Sequence, residues 1–129
     1  MPARRPVTSI HWYCTWELYK SPAPGEIPSR KVFENEWALA FHDINPQAPV
    51  HVLVIPKGRW VSWDDFSAQA EAEEIAGFVR AVGAVARENG LVEPGYRMLA
   101  NVGQHGHQEV PHLHVHLFGG RQFYAMIPQ

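Results

Sequence analysis

Residues 112–118 read His-Leu-His-Val-His-Leu-Phe. In an extended strand alternate side chains face opposite ways, which puts His112, His114 and His116 on one face, about 6.6–7 Å apart in succession. Leu113, Val115 and Leu117 then turn to the other side, toward a core. An imidazole near neutral pH serves as nucleophile, general acid or cation according to its surroundings. Three in a row allow the middle ring to attack while its neighbours orient it and neutralise charge. The segment before them, Gly103 to Val110, carries glycines able to turn backbone N–H groups toward an anion. Loop and strand together favour a nucleophile directed at phosphate. Two other readings stand beside it. One is a metal centre, with the i, i+2 histidines as half of a three-histidine site and His51 as a further ligand. The other is a polar strand face with no chemistry at all.

The rest of the chain must position that strand. Arg30–Phe33 and Trp37–Phe41 read as short strands around a hairpin-length gap. After an Asn-Pro loop, His51-Val-Leu-Val-Ile-Pro56 reads as a strand that ends at its proline. Apolar residues at Ile75, Phe78, Val79, Val82, Val85 and Ala86 recur every three or four positions, which predicts one long helix over 66–88. Ser62, Asp64 or Asp65 is placed to cap it, and Asn89-Gly90 to stop it. Gly77 and Gly83 are expected where that helix approaches a sheet closely. Tyr96–Asn101 and His112–Phe118 supply the last two strands, and the aromatic-rich residues 11–20 suggest a short N-terminal helix. The expected fold is α+β: a five-stranded antiparallel sheet with one long helix on a face.

Composition narrows the function classes. The 129 residues are expected to form a single domain, with residues 1–10 frayed. With 46% apolar and 19% charged residues, disorder is excluded. Eleven basic against thirteen acidic side chains give a formal charge of −2, which lacks the footprint of a nucleic-acid binder. No run of about 18 apolar residues exists to cross a membrane, and the N-terminus does not read as a signal peptide. The one cysteine, Cys14, fits a reducing compartment, so a cytoplasmic location is expected.

The pattern His112-Leu-His-Val-His-Leu-Phe118 resembles the signature of the histidine triad nucleotide-binding family. The likeness extends through Glu26-Ile-Pro28, Ala40-Phe-His-Asp-Ile44, Pro46-Gln-Ala-Pro49, His51 to Lys57, Gly95-Tyr-Arg-Met98, Gln108-Glu-Val110 and Gly119-Gly-Arg-Gln122. These segments look like the branch of small purine nucleoside phosphoramidases. The resemblance implies a hydrolase that cleaves the P–N bond of an adenosine-type phosphoramidate through a nucleotidyl-histidine and releases a nucleoside monophosphate. It makes His114 the nucleophile, His116 the group at the phosphate and leaving amine, and His112 a structural member together with His51. Asn101 and the amides near Gln108–Val110, that of Glu109 included, would hold the phosphate, with His107 beside them in the loop; Phe41, Asp43 and Ile44 would hold the purine nucleoside. It further implies metal-independent chemistry and a homodimer whose two sheets join into one of ten strands.

Departures from that pattern carry their own expectations. His107 stands where glycine is usual. Glu109 stands where some members have serine, so its carboxylate should point away from a bound phosphate. The tail, Phe123-Tyr-Ala-Met-Ile-Pro-Gln129, lacks the tryptophan-containing ending of animal members. Where many relatives have Cys-x-x-Cys this chain has His11-Trp-Tyr-Cys14, so His11, Cys14, His51 and His112 form a candidate structural zinc set. Two alternatives remain open: a nucleotide-binding regulatory module with incidental hydrolysis, and a dinucleoside polyphosphate hydrolase or nucleotidyl transferase. Gly119-Gly-Arg-Gln122 favours the phosphoramidase.

Overall fold

The computed structural model describes residues 30–125. The expected N-terminal helix, His11 and Cys14 lie outside them. Among the described residues five strands form one antiparallel sheet: β1 (Lys31–Glu34), β2 (Ala38–His42), β3 (Val50–Pro56), β4 (Arg97–Leu99) and β5 (Val115–Gly119), in the order β1-β2-β3-β5-β4. The hairpin between β1 and β2 turns on Asn35. Its side-chain oxygen accepts the N–H groups of Trp37 and Ala38, each at 2.8 Å. Its amide donates to the Gly77 carbonyl at 3.1 Å and ties the hairpin to a helix.

The expected single helix is two: α1 (Trp63–Gln69) and α2 (Ala72–Glu88). Ala70 and Glu71 between them are extended. Packing explains the break. Phe66 and Phe78 meet edge to face with centroids 5.2 Å apart, whereas twelve residues of straight helix would separate them by about 18 Å. Ser62 caps α1, accepting from Asp64 N–H at 3.2 Å while Asp65 accepts from Ser62 N–H at 2.8 Å. Gly90 ends α2 in the left-handed region (φ 69°). There Leu91 N–H reaches the Ala86 carbonyl and Gly90 N–H that of Arg87, a Schellman arrangement.

One face of the sheet (Ala38, Ala40, Val52, Val54, Val115, Leu117) packs on Phe78, Ala81, Val82 and Val85 of α2. Leu113 joins this core, so the alternation Leu113, Val115, Leu117 points inward as the pattern predicts. The opposite face buries a smaller cluster of Leu39, Phe41, Leu53, Ile55 and Val110. A close approach of α2 is visible at Gly77, where an added Cβ would overlap the Trp37 ring, but not at Gly83, whose Cβ would meet only Arg87 of its own helix. Alanine at Gly77 gains about 1 kcal/mol of helix propensity and loses about 1–3 kcal/mol to overpacking. Because the obstacle is an indole held in the hairpin, the clash wins. Gly77→Ala is therefore expected to lower the urea midpoint, and an unchanged midpoint would contradict this packing.

Candidate active site

The histidine segment begins irregular and becomes a strand only at Val115, three residues later than the sequence pattern suggests. Pro56 supplies the reason. The β3–β5 register runs Val52 to Leu117, Leu53 to His116 and Val54 to Val115, which carries Pro56 opposite Leu113. Proline has no N–H for the ladder. Leu113 N–H instead donates to the Trp60 carbonyl at 2.7 Å, and His112 N–H to Val110 at 2.8 Å.

This departure shapes the central ring. His114, 7% exposed, donates Nδ1–H to the carbonyl of His112 at 2.8 Å. That bond fixes the tautomer with its lone pair on Nε2. A second chain of bonds sets His116. The backbone N–H of Gln47 donates to His51 Nδ1 at 3.1 Å, so the His51 proton resides on Nε2. His51 Nε2 lies 2.9 Å from His116 Nδ1, which must then accept, leaving the His116 proton on Nε2. The two rings therefore present opposite chemistry, a lone pair at His114 and a donor at His116. They meet edge to face at 4.9 Å. His116 also stacks on Phe118, with planes 4° apart and centroids at 5.5 Å. His112 is 1% exposed and directs Nε2–H to the Pro56 carbonyl at 3.1 Å.

All four rings favour the neutral form. Burial is the first cause in each case. It takes His112 down to about 4 against the partial opposition of the Pro56 carbonyl. His116 also falls to about 4, with the neighbouring His114 and His51 rings adding to burial and Asp43 opposing. His114 and His51 are lowered as well, Asp43 again opposing. In the unfolded chain a histidine titrates near 6.5. Between that value and about 4 the unfolded state binds the proton that buried His112 refuses. The stabilisation is whole above pH 6.5 and is lost as pH falls through the folded value, about 2 kcal/mol of it by pH 5. His116 acts in the same direction. Melting temperature should drop between pH 7.5 and 5; a flat or rising profile would contradict the burial of neutral His112.

Asp43 divides its carboxylate. One oxygen accepts Asn45 N–H at 2.7 Å and shapes the turn; the other lies 3.5 Å from His51 Nε2. Phe41 is buried beside Leu53, the register partner of His116, while Ile44 is 59% exposed at the cleft lined by Asp43, Pro46 and His51. Asn101 follows β4, whose Leu99 pairs with His116. In the loop, Gln108 is consumed structurally. Its side chain bonds the Val61 and Val110 carbonyls at 2.6 and 3.0 Å and accepts Gly103 N–H, and its own N–H reaches the Gly103 carbonyl. The expected amide at Gln108 is thus engaged within the loop, leaving those of Glu109 and Val110 as its donors. The Val110 side chain is core. His107 takes the left-handed backbone (φ 59°) that favours glycine, and its ring pairs outward with Glu109 at 2.8 Å. The Glu109 carboxylate is therefore turned to solvent, 75% exposed.

Of the zinc set, only His51 and His112 fall among the described residues. His51 has both ring nitrogens engaged, by the Gln47 N–H and by His116, while His112 directs Nε2 to the Pro56 carbonyl and keeps Nδ1 buried on the other side of its ring. The donor atoms that do gather are those of Asp43, His51 and His116, within 4.8 Å of one another. There the bond between the His51 and His116 rings uses the proton and lone pair that a metal would displace. Sequence reasoning missed Phe118 and Gln47. Phe118 was legible, standing two residues beyond His116 on the same face, whereas Gln47 acts through its backbone and leaves no side-chain signal.

Comparison with known proteins supplies an independent line. The family model described as the HIT domain matches residues 24–123. An uncharacterised 13.2 kDa HIT-like protein of Azospirillum brasilense is 65% identical over 103 residues, covering 80% of this chain and 84% of its own. The purine nucleoside phosphoramidase of Escherichia coli is 40% identical over 102 residues, 79% of this chain and 85% of that protein. Among solved structures, a HIT family hydrolase from Legionella pneumophila aligns with a TM-score of 0.71 at 44% identity, over 84% of this chain and 96% of the other.

Proposed function

The chain belongs to the HIT domain family, and from that premise we propose that it hydrolyses purine nucleoside 5′-phosphoramidates. The observation that carries the reading is the pair of opposed tautomers, the lone pair on His114 Nε2 beside the proton on His116 Nε2. His114 Nε2 attacks the α-phosphorus, and the P–N bond to the leaving amine breaks. Negative charge on the bound phosphate raises the proton affinity of the neighbouring rings. His116, carrying the second proton that this charge draws in from solvent, can then pass one to the departing nitrogen and is left neutral to receive the next. Water next attacks the nucleotidyl-histidine, its proton leaves through the same ring, and nucleoside monophosphate and free His114 result. The amides of Glu109 and Val110, with Asn101, hold the non-bridging oxygens where charge grows. Asp43 holds the ribose, and Phe41 and Ile44 the purine. The 40% identity to a purine nucleoside phosphoramidase supports this substrate class. Incubation with an adenosine 5′-phosphoramidate should release AMP and amine in equal amounts. Binding of AMP without any turnover would favour the regulatory module instead.

The active form is a homodimer joined along β4. This strand ends the sheet with an open edge, and on its helix side Met98 (58% exposed) stands beside Trp63, Val79 and Tyr96. Such an edge invites pairing with a second copy, and the join gives ten strands. Light scattering should return about twice the 14.6 kDa chain mass at micromolar concentration, and a monomer mass would contradict the pairing. No helix among the described residues is long and apolar enough to cross a membrane; the reading places the enzyme in the cytoplasm, acting without nucleic acid or membrane as partner.

A further inference from the structure

On the His116 face of the sheet, beyond Phe118, lies an open cleft of about 680 Å³ lined by Tyr96, Arg97, Gly120, Arg121 and Phe123 among others. Two guanidinium groups converge there on one ring: Arg121 Cζ stands 4.7 Å and Arg97 Cζ 5.6 Å from the Phe123 centroid. Their hydrogen bonds go to main-chain carbonyls, Arg121 to Gln122 and Arg97 to Tyr124. Neither pairs with a carboxylate among the described residues. Like charges gathered on an aromatic platform repel one another unless an anion joins them.

Register connects this cleft to the reacting centre. Arg97 pairs with Phe118 and Leu99 with His116. Directly paired residues share a face, so Arg97 stands on the His116 side, two residues further along. That displacement is about 6.6–7 Å. The rings run on without a gap, His116 stacked on Phe118 and Phe118 edge to face with Phe123 at 6.2 Å. Side chains stand perpendicular to the hydrogen-bonding direction, so Arg97 projects from the sheet face rather than along the β4 edge.

We infer that Arg97, Arg121 and Phe123 form a subsite for an amine leaving group that carries a carboxylate several bonds from the reacting nitrogen. The inference rests on the phosphoramidase reading and adds to it a preferred class of leaving group, an ω-amino carboxylate. Its carboxylate joins the two guanidiniums while its methylenes lie along Phe118 and Phe123.

The test pairs two adenosine 5′-phosphoramidates of equal length, one made with 4-aminobutanoate and one with the neutral 4-aminobutanamide. Calorimetry with His114→Ala, which cannot turn them over, measures binding alone. The carboxylate compound should bind about five- to tenfold more tightly, the size of a partly exposed charge-assisted contact. Arg121→Gln in the same background should erase that preference, and Arg121→Lys should restore part of it. Equal binding of the two compounds, or an equal loss of both in Arg121→Gln, overturns the subsite. Turnover by the unaltered protein separates this from the reaction itself. If both compounds are cleaved but bind equally, the subsite falls and the hydrolase stands. A binding preference without cleavage keeps the subsite and removes the hydrolase.

Discussion

Replacement of His114 by Ala should lower turnover of an adenosine 5′-phosphoramidate by about 10⁴-fold or more, the scale on which loss of a covalent nucleophile is felt. No other described group can take its place. His116 carries its proton on Nε2 and has Nδ1 engaged by His51, and His112 has Nε2 directed at Pro56. The fold should survive, because the core beneath this strand is made by Leu113, Val115 and Leu117 on the opposite side. Loss of the bond to the His112 carbonyl costs about 1 kcal/mol. Nucleotide binding should persist, since Asp43, Phe41 and the loop amides are untouched. Steady-state assays with a melt of the same sample check both halves. Turnover within tenfold of the unaltered protein would remove His114 from the chemistry.

Replacement of His116 by Ala should produce a loss that depends on the leaving group. A positioned proton donor is worth about 10²–10⁴-fold, and that contribution matters only where the departing nitrogen needs the proton. An alkyl amine, strongly basic, should lose about 10²-fold or more in kcat. An aryl amine of low basicity should lose far less. A purely structural role would slow both alike. His116 fits the first description because its proton is placed by a relay that starts at the backbone of Gln47 and passes through His51. Parallel assays with one alkyl and one aryl phosphoramidate separate the cases, and equal losses would contradict the donor role. The acid limb of kcat/KM should fall below the ordinary histidine range, because burial lowers the affinity of His114 for a proton.

Much of this arrangement was legible in the sequence, and the misses have physical causes. Alternation at Leu113, Val115 and Leu117 correctly set the inward face, because burial enforces a period of two wherever one side of a strand meets a core. The same pattern overextended the strand to His112, since a histidine segment does not reveal that a proline, Pro56, stands opposite its start. Residues 66–88 carry no proline or glycine at the break between α1 and α2, so periodicity alone read one helix. What divides them is the contact between Phe66 and Phe78, a tertiary demand. Phe41 and Asp43 were singled out by resemblance rather than by chemistry, and the structure sets Asp43 against His51 and Phe41 beside Leu53, the register partner of His116. Asp43 shows why the residue type alone was ambiguous: one oxygen makes the turn and the other faces the histidines. The two arginines around Phe123 went unread because they lie 24 residues apart, joined only by the pairing of β4 with β5.

The central claim is a covalent bond between His114 Nε2 and the α-phosphorus. Rapid acid-free quenching of the protein with excess adenosine 5′-phosphoramidate, followed by peptide mapping in a mass spectrometer, looks for it directly. An adenylyl adduct should appear on the peptide containing residues 112–118, with fragmentation placing it on His114, and should vanish in His114→Ala. Efficient release of AMP with no adduct at any time point, or an adduct on another residue, would contradict the account.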